Sequence, residues 1–105
     1  MTLHAEISIV PILRDHDSTS MSKGVAAAFE AISKIESLKT TLTALGTQLE
    51  AKDLADILRA IEAAHRAAKS AGALRIISTI KIDERLDKDQ SLQDKIISVK
   101  QKLGE

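Results

Sequence analysis

The chain has 105 residues, and its fifteen Lys and Arg side chains balance fifteen Asp and Glu, so the formal net charge is zero. This length allows one domain with one core, and we expect a single domain over residues 1–105. The zero net charge argues against a nucleic-acid partner. The lack of cysteine excludes disulfide and thiolate chemistry and fits a cytoplasmic protein. No apolar run is long enough to span a membrane.

Alternation with a period of two from Leu3 to Ile12 predicts a half-buried first strand. Its inward side chains are Ala5, Ile7 and Ile9, and its outward side chains are His4, Glu6 and Ser8. A polar loop over residues 14–20 leads into a first helix that hydroxyls at residues 18–20 can cap and that ends near Glu36 or Ser37. Its apolar stripe comprises Val25, Ala28, Phe29, Ile32 and Ile35.

Two short strands, over residues 40–45 and 47–50, are predicted as a hairpin or a kinked strand pair with Gly46 at the bend. Asp53 can cap a second helix over residues 54–70, which Gly72 terminates. The apolar stripe of that helix comprises Leu54, Ile57, Leu58, Ile61, Ala64 and Ala68.

The residues from Leu74 to Ile82 predict the last strand, and a charged loop from Asp83 to Asp89 follows it. A third helix is expected over residues 91–103, with an apolar seam made of Leu92, Ile96, Val99 and Leu103. The order is β-α-β-β-α-β plus a C-terminal helix. Right-handed crossovers then place both main helices on one side of an antiparallel sheet, which predicts an α+β ferredoxin-like sandwich.

The other side of this sheet is predicted to be open and polar. It should carry the outward residues of the first strand, Thr41, Thr43, Gln48 and Glu50 of the hairpin, and Arg75, Ile77, Thr79 and Lys81 of the last strand. Two interpretations remain: a solvated face, which is normal for such sheets, or a face that pairs with another subunit and encloses a polar ligand pocket.

No catalytic constellation, phosphate loop or dinucleotide motif is present, so we expect a binding protein and not an enzyme. His65 lies on or beside the stripe of the second helix, and we favour a partly buried histidine bonded to a carbonyl over a ligand contact. His4 and Glu6 share a face but lack an evident third metal ligand, so we expect no metal site. The hydroxyls from Ser18 to Ser22 open a helix and can cap it or hold an anion.

Several segments together resemble one known family, the small thiamine-binding proteins. They are Ala5–Pro11, Ser18–Ser22, Gly46–Thr47 with Glu50, Ala63–His65, Thr79–Arg85, Asp94–Lys95 and Ser98–Val99. The resemblance implies a ferredoxin-like subunit whose open sheets stack into dimers that often pair into tetramers. It also implies binding of thiamine or its pyrimidine moiety, in salvage or transport of the vitamin. We expect no bound cofactor.

Strand geometry suggests how the open face would bind such a ring. Glu6 or Glu50 would accept a hydrogen bond from an amino group, and either carboxylate would favour a thiazolium cation. Ring nitrogens would bond to hydroxyls of Ser8, Thr43, Thr47 and Thr79, and Ser20 and Ser22 at the helix opening complete the expected ligand set. The alternatives are a structural or regulatory oligomerisation module without a ligand and a cofactor-free enzyme that uses His65.

Overall fold

The structure, a computed structural model, describes residues 1–12 and 18–104, with the main chain alone for residues 18–21. The predicted loop over residues 14–20 and its His16 therefore lie largely outside the described residues. The elements in chain order are β1 (Leu3–Ile12), α1 (Ser18–Ser33), β2 (Lys39–Thr43), β3 (Gly46–Ala51), α2 (Leu54–Ser70), β4 (Arg75–Glu84) and α3 (Leu92–Lys102). This order confirms the predicted α+β ferredoxin-like arrangement with its extra C-terminal helix.

The four strands form one antiparallel sheet in the order β2-β3-β1-β4. Directly opposite residues share a face of an antiparallel sheet, so the register assigns every side chain to a side. Ile7 lies between Thr47 of β3 and Ile80 of β4, on the face that the helices cover. The other face, which we call the open face, carries rows formed by Glu50–His4–Asp83, by Gln48–Glu6–Lys81 and by Ser8–Thr79.

The core lies between the covered face of the sheet and the helices α1 and α2. Its most buried side chains are Ile7 and Leu49 of the sheet, Ile32 of α1 and Ile57 of α2. Three alanines of α2, at 60, 64 and 68, are also fully buried, and small side chains there let the helix approach closely. The predicted stripes were too wide, because Val25, Leu54 and Leu58 remain 38–53% exposed.

The predicted signal at the C-terminal end of α2 is confirmed, whereas the one at its N-terminal end is not. Gly72 has φ of 104° and donates to the carbonyl of Lys69, while Ala73 donates to that of Ala68. This is a Schellman motif, which requires the left-handed conformation that glycine adopts freely. Asp53 occupies the N-cap position, but its side chain makes no capping hydrogen bond, so the predicted capping role is wrong.

The bounds of β4, of the β2–β3 hairpin and of α1 differ from the prediction, because charged and hydroxyl side chains interrupt the apolar pattern there. β4 continues through Asp83 and Glu84, which pair with His4 and Leu3, so these two acids are not part of the charged loop. The β2–β3 hairpin turns at residues 44–45, and Gly46 begins β3. The helix α1 ends at Ser33, earlier than expected.

The third helix returns across the open face, but only its start touches the sheet. Three residues of its predicted seam are largely exposed: Ile96 at 47%, Val99 at 59% and Leu103 at 71%. No residue of α3 is buried in the described chain. The helix is therefore attached by polar contacts, and its apolar side is left uncovered by the described residues.

Candidate functional site

A cavity of about 200 Å³ lies on the open face beneath the start of α3. We call it the open-face pocket. Strands β1, β3 and β4 supply its floor, and α3 supplies its rim. Its lining residues are His4, Ala5, Glu6, Gln48, Lys81, Asp83, Leu92 and Lys95.

Two contacts hold α3 over this pocket. The backbone N–H of Leu92, the first residue of the helix, donates to the Glu50 carboxylate on β3. A carboxylate at a helix N-terminus satisfies a donor that has no partner within the helix and interacts favourably with the helix dipole. On β4, Asp83 accepts a hydrogen bond from the Lys95 ammonium at 2.5 Å, and this bond lowers the pKa of Asp83.

The start of α3 is also well formed by its own sequence. Ser91 accepts a hydrogen bond from the backbone of Asp94, and the Asp94 carboxylate accepts one from the Ser91 backbone. This capping box satisfies two donors at the helix end. The Asp89 carboxylate accepts from the backbone N–H of Thr2 at 2.8 Å, which ties the preceding loop to the start of β1.

His4 is the most unusual residue of the pocket. It is only 5% exposed, and its Nε2 has no hydrogen-bond partner within the described residues. The nearest carboxylate oxygen, Oε1 of Glu50, lies 3.8 Å away, which is too long for a hydrogen bond. A buried polar atom without a partner costs about 1–3 kcal/mol, so a hydrogen bond from any ligand or water that reached this nitrogen would stabilise the protein.

Glu6 occupies the centre of the next row. Gln48 of β3 donates to Oε2 of Glu6 at 3.2 Å, which orients the carboxylate. The other oxygen, Oε1, has no partner among residues 1–12 and 18–104 and can accept from a ligand. Lys81 pairs with Glu6 in the register from the opposite side.

The pocket combines two carboxylates with two ammonium groups and with the hydrogen-bonding groups of Gln48 and His4. This balance of positive and negative charges disfavours a ligand that carries several negative charges. It suits a small polar ring that carries both donors and acceptors, and one carboxylate can offset a single positive charge on that ring.

Of the predicted ligand residues, Glu6 alone lines the open-face pocket. Glu50 lies beside it, but its carboxylate is engaged by the Leu92 backbone. Ser8 and Thr79 face each other one row further along the open face. Thr43 belongs to the same side, and its hydroxyl donates to the Gly46 carbonyl at 2.8 Å.

The remaining predicted residues do not line the open-face pocket. Thr47 pairs with Ile7 and Leu42, so it lies on the covered face and is only 7% exposed. Thr47, Ser8 and Thr43 nevertheless line one further cavity, of about 260 Å³, between the hairpin and α1. Ser22 lies on α1, beyond that same covered face, and the side chain of Ser20 is outside the described residues.

His65 points toward the covered face and not toward the pocket. Its Nε2 lies 3.0 Å from the hydroxyl of Ser78 on β4. The expectation of a partly buried, hydrogen-bonded histidine is confirmed, although the partner is a hydroxyl and not a carbonyl. In the described chain, no group of three or more His, Asp or Glu residues is placed to hold a metal ion, and this holds for the surroundings of His4 and Glu6 as well.

Sequence reasoning did not place four of the lining residues on the open face: Ala5, Asp83, Leu92 and Lys95. The alternation of β4 could have identified Asp83, since residues 79, 81 and 83 share one face. Leu92 and Lys95 depend on a helix that folds back over the sheet, and periodicity within that helix carries no such information.

Comparison with known proteins places this geometry in context. Residues 5–100 match the family model described as thiamine-binding protein. A UPF0045 protein of Methanothermobacter thermautotrophicus is 43% identical over 99 residues, which cover 94% of this chain and 97% of the relative. A second UPF0045 protein, from Methanocaldococcus jannaschii, is 38% identical, with 90% and 89% of the two chains covered.

Solved structures agree with the fold. A hypothetical protein from Methanocaldococcus jannaschii superimposes with a TM-score of 0.81 at 36% identity, over 94% of this chain and 96% of that one. A Thermotoga maritima protein assigned provisionally to thiamine biosynthesis or salvage gives a TM-score of 0.76 at 17% identity, over 94% and 99% of the two chains. At that identity the likeness concerns the fold alone. Among the described residues, no helix is long and apolar enough to cross a membrane.

Proposed function

This chain belongs to the thiamine-binding protein family, and from that premise we propose that it binds thiamine or a hydroxymethylpyrimidine-like molecule in the open-face pocket, without catalysing a reaction. The role in salvage or transport of the vitamin follows from the same proposal. The assignment of the Thermotoga maritima protein to thiamine biosynthesis or salvage is consistent with it.

The observation that carries the proposal is the buried Nε2 of His4, which has no hydrogen-bond partner in the described chain. An aminopyrimidine presents ring nitrogens and an exocyclic amino group along one edge. With His4 on one row and Glu6 on the next, the pocket offers a bond to a ring nitrogen and an acceptor for the amino group. Either ring nitrogen of His4 can carry the proton, so it can serve as donor or acceptor.

The size of the pocket supports a ligand of one ring at its floor. Pockets for drug-sized ligands hold about 300–1,000 Å³, and this one holds about 200 Å³. A single substituted ring fits that space. The thiazolium part of thiamine would then extend over the open face toward Ser8 and Thr79.

We also propose that two copies cover this face, as a homodimer or as part of a homotetramer. The exposed seam of α3 and the exposed Val10 and Ile77 of the open face support this arrangement, since apolar surface of this kind is buried in subunit interfaces. The same observation favours the second candidate function, an oligomerisation module without a ligand.

Titration calorimetry with thiamine and with hydroxymethylpyrimidine tests the binding proposal. Binding should release or absorb measurable heat and raise the unfolding temperature, because a ligand stabilises the folded state by mass action. The variant Glu6→Gln should bind more weakly, whereas Glu62→Gln, an exposed change on α2, should bind as the unchanged protein does. No heat and no thermal shift at millimolar ligand would leave the oligomerisation module as the better account.

A further inference from the structure

The outward side chains of β1 become more exposed with distance from α3. His4 is buried, Glu6 is half-buried and Val10 is 40% exposed, although all three lie on the open face. Alternation along a strand assigns a side chain to a face but does not bury it, so something other than the sheet covers His4. The start of α3 supplies this cover, because Leu92 and Lys95 line the same pocket as His4.

The two residues that hold α3 are the cross-strand neighbours of His4. In the register, Glu50 of β3 and Asp83 of β4 oppose His4 from its two sides. Glu50 accepts a hydrogen bond from the backbone N–H of Leu92, and Asp83 accepts one from Lys95. The first turn of α3 therefore spans from β3 to β4 across His4, which lies on the strand between them.

One oxygen of Glu50 connects α3 with the buried imidazole. Its Oε1 accepts the Leu92 N–H, and the same atom lies 3.8 Å from Nε2 of His4. This Nε2 is buried and has no hydrogen-bond partner within residues 1–12 and 18–104. With α3 in this position a ligand cannot reach Nε2, so a bond to that atom requires the start of α3 to move.

The attachment of α3 is weak enough for such a movement. Nine of its eleven residues are exposed, and Leu92 and Lys95 are half-buried. Elements that are held by few buried apolar contacts open at a low free-energy cost. A helix of this length is marginal in water on its own, so a released α3 should lose much of its helical structure. Attachment to the sheet and helix formation in α3 are therefore coupled.

We propose that α3 is an autoinhibitory lid whose first turn covers His4 and must lift before a ligand can bond to Nε2. Lid closure and ligand binding then compete, and the apparent affinity is reduced by the fraction of molecules whose lid is closed. The effect on affinity rests on the proposed function, whereas the covering of His4 does not, so the two are measured separately.

The reactivity of His4 toward diethyl pyrocarbonate measures the lid without a ligand. This reagent modifies accessible imidazoles, and peptide mass spectrometry gives the rate at His4. Ser91→Ala removes the side-chain cap of α3 without changing the pocket lining. Loss of such a cap should raise the open fraction, and with it the rate, about 2-fold to 30-fold. Ser98→Ala, at an exposed position of α3, favours the helix and should lower the rate about twofold.

Titration calorimetry with thiamine measures the competition. Ser91→Ala should bind thiamine more tightly, by the same factor by which its His4 reacts faster, although its helix is less stable. The control is Glu62→Gly, which weakens α2 at an exposed position and leaves α3 intact. In this control the reactivity of His4 and the affinity for thiamine should both stay unchanged.

Equal reactivity of His4 in Ser91→Ala and in the unchanged protein would overturn the lid. Equal or weaker thiamine binding by Ser91→Ala would overturn the competition, because the closed helix would then have no effect on the ligand or would favour it. Faster reaction of His4 in Ser91→Ala, with no heat from thiamine in any variant, would support the lid and exclude the proposed function.

Discussion

His4 and Glu50 are directly opposed across β1 and β3, yet the imidazole Nε2 and the carboxylate Oε1 remain 3.8 Å apart. The carboxylate instead binds the backbone N–H of Leu92 at the start of α3. One residue of the pair is thus committed to holding the helix over the sheet. The other is left buried beneath that helix with an unsatisfied nitrogen.

Replacing His4 should weaken ligand binding without lowering the stability of the folded protein. In His4→Leu the buried nitrogen disappears, so the free energy of unfolding should stay the same or rise by about 1 kcal/mol. Affinity for thiamine should fall about tenfold or more, because the ligand loses a hydrogen bond worth about 1.4 kcal/mol. Urea denaturation and titration calorimetry on the same preparation measure the two quantities.

His65→Leu is the matched control for this variant. It removes the contact with Ser78 on the covered face, so stability should fall by about 0.5–1.5 kcal/mol while thiamine affinity stays unchanged. If His4→Leu lost stability and kept its affinity, the buried nitrogen would have a structural role and not a ligand-binding one.

Removal of the Glu50 carboxylate should release the start of α3. In Glu50→Ala the Leu92 N–H loses a charged acceptor at the helix N-terminus, an interaction that is stronger than a neutral hydrogen bond. Amide hydrogen exchange within residues 92–102 should become several times faster, while exchange within α2 should change little.

The control for this change is Glu62→Ala on α2, whose partner Arg66 is exposed. Exposed ion pairs contribute about 0–1 kcal/mol, so exchange in α3 should be unaffected. Equal protection of α3 in Glu50→Ala and in the unchanged protein would show that other contacts hold the helix.

Local patterns predicted the elements and the two faces of the sheet because alternation determines the side on which each residue lies. The register confirms this for Glu6, Ser8 and Thr79. Thr47 is adjacent to the outward Gln48, so the same alternation places it on the covered face, opposite Ile7. A threonine in a strand gives no sign of which side it faces without its neighbours.

The depth of the pocket could not be predicted in the same way. His4 is buried because α3 returns to the sheet through Leu92 and Glu50, which are 42 residues apart. Asp83 was assigned to a loop because acidic residues are uncommon in strands. It continues β4 because His4 supplies a partner strand for it. Both errors concern contacts between distant segments, and patterns within one segment do not encode them.

Gly46 should resist substitution for a steric reason and not a conformational one. A Cβ at this position would lie 2.8 Å from the carbonyl oxygen of Ile7, which is backbone in the sheet centre and cannot move aside cheaply. Gly46→Ala should therefore destabilise the protein by about 1–3 kcal/mol, as overpacking does. Chemical denaturation measures this, and Leu45→Ala, at a side chain that is 82% exposed, should change stability by less than about 0.5 kcal/mol.

Acid should detach α3 before it unfolds the core. The pKa values of Asp83, Asp89 and Asp94 are all lowered from 3.8, mainly by hydrogen bonds from Lys95, from the Thr2 backbone and from the Ser91 backbone, in that order. A carboxyl group with a lowered folded-state pKa stabilises the folded form fully above its unfolded value. That contribution is lost as the pH falls through the lower folded value. The attachment of α3 should thus be complete above about pH 4 and weaken progressively below pH 3.8.

Amide hydrogen exchange or NMR chemical shifts of α3 and α2, followed from pH 5 to pH 2, would measure which helix is lost first. In Asp83→Asn, which keeps the shape of the side chain, the share of this pH dependence that comes from the Lys95 contact should be absent. Loss of α3 and α2 at one common midpoint, in both proteins, would contradict the prediction.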